Sequence, residues 1–212
     1  MQYKINYKNQ YGGDIKNILV YCHPKKITME NNNHWMMEIF KEIINDNYPH
    51  DQINFDTIDI LPGGTIQDNV FSPNFINEHL NKYDGIFIPD CAGPWYYLQN
   101  NNFSNQINQL QSQLQYISDI NAQNQIIKRI EELKYYNSLS PEIKNDIFRK
   151  IISNITKMLK NNGILFISKI MTDINYGIIL DVLHQLNFKI IDKNFILYEE
   201  SYSSPFIYAI KQ

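Results

Sequence analysis

The chain has 212 residues and a formal net charge of −3, with 43% hydrophobic and 19% charged residues. That is enough apolar material for a real core, so a globally disordered chain is excluded. A pI near 5.9 and only two arginines, Arg129 and Arg149, argue against a dedicated nucleic-acid binder, which needs clustered cations to neutralise phosphates.

In chain order, residues 1–16 read as an irregular arm ending in the turn signal Gly12-Gly13. Lys16–Tyr21 (KNILVY) is a continuous apolar run, as a parallel strand buried on both faces should be, and Pro24 ends it. Met29–Asn45 is expected to be a helix: Trp35, Met36, Ile39, Phe40, Ile43 and Ile44 fall on one face, with Asn31–Asn33 as cap candidates. Ile53–Leu61 is the next strand, broken by Pro62-Gly63-Gly64, with a short strand at Thr65–Gln67. Phe75–Asn81 reads as a short helix and Tyr83–Pro89 as the clearest strand. From Asn105 to Tyr135 apolar residues recur at steps of three and four, giving two antiparallel helices broken near Asp119–Asn124. Ser140-Pro141-Glu142 starts a helix that runs to about Lys160 and is closed by Asn161-Asn162-Gly163. Ile164–Ile170 is a strand and Asn175–Leu186 a helix. Phe188–Tyr198 and Pro205–Lys211 are two strands joined without a helix, an antiparallel hairpin.

Alternating strands and helices with continuous apolar runs predict an α/β three-layer sandwich, a mostly parallel sheet with an antiparallel C-terminal hairpin. We expect one domain over 1–212, with 99–140 as a helical insertion serving as a lid or a homodimer contact. No run reaches the ~18 apolar residues of a membrane span, and Met1–Gly13 lacks an apolar signal-peptide core, so a cytoplasmic protein is expected. Asn and Ile together supply 64 residues while Ala and Val supply three each, the usage of an AT-rich genome such as that of a virus or protist. The Asn/Gln-rich stretch Gln99–Gln125 therefore reads as codon drift rather than as a prion-like segment. Cys22 and Cys91 are too few for a disulfide framework and lack metal-ligand spacing.

The tail segments "ITKMLKNNGILFISKI", "ILDVLHQLNFKIIDKNFILYEE" and "SPFIYAIKQ", with "FDTIDIL" and "KYDGIFIPD" earlier, resemble the class I S-adenosylmethionine-dependent methyltransferases. The resemblance implies a Rossmann-like sheet of seven strands whose last strand is inserted antiparallel, and S-adenosylmethionine as cofactor. It covers roughly Lys16–Lys211. It departs from the family in two places. The turn after strand one, Cys22-His23-Pro24-Lys25-Lys26, has none of the family's glycines, and eight residues between Asp59 and Asp68 leave no room for a helix. The chain thus resembles a degenerate member, and a non-catalytic Rossmann-like interaction protein is the alternative. "NILVYCHPKK" and "KYDGIFIPDCAGPWYYL" also resemble flavodoxin-like quinone reductases, which end on a parallel strand and helix.

In such sheets ligands bind beyond the carboxyl ends of the strands, where strand order reverses. The candidates there are Cys22, His23, Asp59, Asp68, Pro89 and Asp90. The resemblance places Asp59 on the ribose hydroxyls and Asp68 near the adenine. His23, with Lys25 and Lys26, is a donor to an anionic group or a surface histidine beside a proline turn. Asp90 is a base, or orients a substrate amine, or bonds its own turn backbone. Trp95, Tyr96 and Tyr97 stack on a planar substrate or pack under the insertion. The remaining histidines show no metal-ligand spacing. Cys22 and Cys91 are expected to be within roughly 10 Å, on adjacent strands. A small-molecule or protein acceptor is implied.

Overall fold

A computed structural model describes residues 13–21, 28–30, 35–59, 66–67, 72–89, 98, 102–168, 173–192 and 206–212. Seven strands among them form one sheet: β1 (Ile15–Tyr21), β2 (Gln52–Asp59), β3 (Ile66–Gln67), β4 (Tyr83–Ile88), β5 (Leu159–Ile167), β6 (Phe188–Asp192) and β7 (Ile207–Lys211). The described helices are α1 (Trp35–Asn47), α2 (Pro73–Glu78), α3 (Ser104–Leu114), α4 (Ile120–Ser138), α5 (Pro141–Lys157) and α6 (Asp173–Gln185). The strand order is β3-β2-β1-β4-β5-β7-β6. The first five strands run parallel. β7 enters between β5 and β6, antiparallel to both, as the hairpin reading and the inserted last strand of the resemblance together imply.

The two-sided burial that made the strands legible is visible in β1. Ile18, Leu19, Val20 and Tyr21 are all fully buried, two towards each face. Ile18 and Val20 join Phe40 and Ile44 of α1, together with Phe55, Phe87 and Phe166. Their aromatic rings run across the sheet, Phe40 to Phe87 at 4.9 Å and Phe87 to Phe166 at 5.3 Å between centroids. Leu19 and Tyr21 join the opposite core, closed by Phe75 and Ile76 of α2, Phe148 and Ile152 of α5, and Ile179 and Leu183 of α6. At Gly85 a Cβ would stand 2.8 Å from Ile18 Cδ1 and 3.2 Å from Ile44 Cδ1, so the glycine lets α1 lie close on β4.

Helix starts follow their capping chemistry. Ser140 Oγ accepts the Ile143 N–H with Pro141 in the first turn, and Asp119 accepts the Ala122 N–H at 2.8 Å. Asp119 thus begins α4, so the break between the two insertion helices is at 115–119, slightly earlier than the expected Asp119–Asn124.

Two further boundaries differ more from expectation. The helix expected over 29–45 begins at Trp35, since Thr28–Glu30 is not helical; Asn31–Asn33 lie outside the described residues. The larger difference is at Asn161-Asn162-Gly163, which does not close α5. That helix ends at Lys157, and Leu159 already pairs with Tyr83 of β4. The register then jumps to Gly85↔Ile164, so Lys160–Gly163 form a bulge inside β5. Asn162 takes a left-handed φ of 62°, and a Cβ on Gly163 would meet the Lys160 carbonyl oxygen at 2.8 Å and the Asp84 carbonyl oxygen at 3.3 Å. The turn chemistry read as a helix stop is used to fold a strand over its neighbour.

Candidate functional site

The parallel register sets the geometry of the carboxyl edge. Tyr21 is level with Ile58, and Asp59 with Gln67. Val20 is level with Phe87 and Ile88 with Ile167, so Pro89 and Ser168 stand one residue beyond the ladder; the Ser168 N–H donates to the Ile88 carbonyl oxygen at 3.0 Å. From β1 the chain steps outward through β2 to β3, then crosses to β4 on the other side of β1. The strand order therefore reverses between β1 and β4, the point at whose carboxyl ends open parallel sheets take their ligands.

Of the residues named from the sequence, two fall in this described part. Asp59 closes β2, and Pro89, half-buried, follows β4. Cys22, His23, Asp68, Asp90, Trp95, Tyr96 and Tyr97 lie outside the described residues, as does Cys91, although β1 and β4, the strands that precede the two cysteines, are neighbours as expected.

The sequence reading missed three residues at this edge. Ser168 is 1% exposed at the end of β5, and Asn175 is 4% exposed in the first turn of α6, which starts from the same edge. Tyr21 is fully buried, and burial, aided by the nearby Tyr83, pushes its hydroxyl well above the usual phenol range, so it stays neutral. Ser168 had a usable signal: it directly follows the run ILFI. Placing that strand at 164–170 hid it inside the strand.

The opposite, amino-terminal edge carries the described ion pairs that tie the strands together. The Asp84 carboxylate accepts from the Asn17 N–H and from Lys160 Nζ, both at 2.9 Å. Tyr48 Oη donates to the Asp84 carbonyl oxygen at 3.0 Å, and Lys16 sits between Asp14 and Asp51 at 3.6 and 3.7 Å. These contacts hold β1, β4 and β5 in register and lie at the wrong edge for a ligand. No group of three or more His, Cys, Asp or Glu among the described residues could hold a metal ion. No described helix is long and apolar enough to cross a membrane.

No family model matches the chain, and no curated protein matches it in sequence. Solved structures similar to it include methyltransferases. The N-methyltransferase NodS of Bradyrhizobium japonicum is 11% identical over 94% of this chain and 87% of its own, with a TM-score of 0.42. The 1,6-didemethyltoxoflavin-N1-methyltransferase of Burkholderia thailandensis, solved with S-adenosylhomocysteine, is 8% identical over 92% and 70%, with a TM-score of 0.42. A SAM-dependent methyltransferase of Leishmania major is 12% identical over 92% of this chain and 65% of its own, with a TM-score of 0.43. The seven-stranded order with its antiparallel β7 is that of the class I methyltransferase-like, Rossmann-like fold. It departs from the flavodoxin-like alternative, whose sheet ends on a parallel strand.

Proposed function

We propose that the protein is an S-adenosylmethionine-dependent methyltransferase that holds its cofactor over the carboxyl ends of β1, β2 and β4. The observation that carries this reading is the reversal of strand order between β1 and β4, at whose carboxyl ends such sheets take their ligands, with Asp59 closing the neighbouring β2. A carboxylate at the end of β2 is chemically suited to accept hydrogen bonds from a ribose diol. On this reading Cys22 and His23 border the methionine part, Asp68 the adenine and Pro89 the methyl donor, and Asp90 orients the acceptor or takes its proton. Trp95, Tyr96 and Tyr97 offer stacking faces to a planar acceptor, from a small molecule or a protein. The cofactor supplies an electrophilic methyl group when bound. The chain's contribution is to hold donor and acceptor in line and to exclude water.

One observation favours a second reading, a non-catalytic protein that keeps the fold. Residues 22–26 contain no glycine, so every position there carries a Cβ where the family's backbone approaches its ligand closely. Isothermal titration with S-adenosylhomocysteine separates the two. The first reading predicts saturable binding, weakened about tenfold or more by Asp59→Ala, since a hydrogen bond to a charged group contributes about 1.5–3 kcal/mol. Absence of binding to the folded wild-type chain at about 1 mM ligand, where even a weak complex forms, would overturn it in favour of the second.

A further inference from the structure

The bulge in β5 holds a reactive pair. Of the chain's 28 asparagines, Asn162 alone is followed by glycine. Spontaneous deamidation of asparagine uses the backbone nitrogen of the following residue as its nucleophile. A side chain on that residue hinders the approach, and glycine has none.

The structure leaves this pair accessible. Asn161 and Asn162 are exposed, and Asn162 turns the chain through its left-handed φ of 62° where the β4–β5 register breaks. Gly163 is buried, but the attack is internal to two adjoining residues; only departing ammonia and incoming water need the open side. The nearest rival is Asn137, followed by the small Ser138. It lies in the last turn of α4, and its Oδ1 accepts the Phe103 N–H at 3.3 Å, so helix and hydrogen bond together restrain its carboxamide. Asn175, in the first turn of α6, is 4% exposed and is followed by a bulky tyrosine.

We propose that Asn162 is a deamidation site whose isoaspartyl product opens the β5 bulge. The Gly163 nitrogen gives its proton to solvent base and bonds to Asn162 Cγ. The Cγ–Nδ2 bond breaks, and the side-chain nitrogen leaves as ammonia. The cyclic imide then takes up one water. Cleavage between the nitrogen and Cγ gives aspartate on an unchanged backbone. Cleavage between the nitrogen and the main-chain carbonyl carbon of residue 162 gives isoaspartate, whose main chain runs through Cγ and is one atom longer. The two products act differently here. Aspartate visits the left-handed region much as asparagine does. The longer backbone meets a bulge fixed at both ends: Lys160 Nζ donates to Asp84 at 2.9 Å, and Ile164 pairs with Gly85. Between them the Cβ position of Gly163 is already 2.8 Å from the Lys160 carbonyl oxygen, so an extra atom displaces one of these contacts.

The test is ageing of the full chain for several days in mildly alkaline buffer at physiological temperature, followed by ion exchange and by peptide mapping that tells the two products apart. Each conversion adds one negative charge to the net −3 and about 1 Da of mass, so products separate from the parent chain. Asn162 is expected to convert about tenfold or more faster than Asn137. Asn162→Gly accepts the left-handed φ and lacks the carboxamide, so it should fold and lose the main acidic fraction. The isoaspartyl fraction should melt about 5 °C or more below the unaged chain, and Asn162→Asp, with its normal backbone, within about 2 °C of it. An aged chain that keeps Asn162 while other asparagines convert overturns the proposal, as does a main acidic fraction that persists in Asn162→Gly. So does an isoaspartyl fraction that melts with the unaged chain, which would show that the bulge absorbs the added atom.

Discussion

At the scale of single residues, the amino-terminal edge of the sheet holds the best-defined polar chemistry. Tyr48 donates to the backbone oxygen of Asp84, and burial, then the Asp84 carboxylate, Tyr208 and Asp51, push its hydroxyl up to about 12. The folded value lies above the ordinary value of about 10, so the fold favours the neutral phenol. Its contribution is complete below about pH 10 and is lost as pH rises through about 12. Urea midpoints at pH 9, 10.5 and 12 should therefore fall more steeply for the wild type than for Tyr48→Phe; parallel decline would contradict this assignment. Asp84 is the second test. Its carboxylate joins the Asn17 N–H and Lys160, and Asp84→Ala leaves that inward N–H without its acceptor. The loss should be about 1–3 kcal/mol in urea unfolding, with Asp84→Asn costing less because an acceptor oxygen remains. Equal losses for the two variants would show that packing, and not acceptance, is what matters there.

At the scale of elements, the buried strands were legible because helices cover both faces of the sheet. KNILVY and YDGIFI read as continuous apolar runs for that physical reason, and every residue from Tyr83 to Ile88 is buried. Capping chemistry was equally legible at Ser140, since it is local. The β5 bulge was not. Lys160-Asn161-Asn162-Gly163 has the composition of a helix stop, and only tertiary contacts, Lys160 with Asp84 and Gly163 against the Asp84 carbonyl, decide for a bulged strand. The same displacement hid Ser168 from the candidate site. The insertion presents a different case. Its helices pack mainly on each other, and Tyr136 touches both their small core and the main one. Replacing Ser104–Ser138 with a short glycine linker should leave a cooperatively unfolding sheet, its melting temperature lowered by under about 10 °C, the equivalent of a few kcal/mol at this size. A variant that loses its cooperative transition would make the hairpin part of the main core.

At the scale of the whole molecule, the strand order does what no single motif in the sequence does: it brings the ends of β1, β2 and β4 to one edge and reverses direction between β1 and β4. The hairpin at the C-terminus was the legible sign of that order, because two strands without an intervening helix must run antiparallel. The loops that would meet a ligand carry no motif as specific as the order itself, so the candidate site was legible as a place rather than as a set of reacting groups. Hydrogen exchange of the full chain with and without S-adenosylhomocysteine tests the assignment of that place most directly. Ligand that binds only the folded state should slow exchange in peptides spanning 19–26, 57–68 and 86–97, and leave those in 188–192 and 207–211 unchanged. Protection confined to the hairpin 104–138, or to the amino-terminal edge around Asp84 and Lys160, would contradict the placement of the site at the β1/β4 switch.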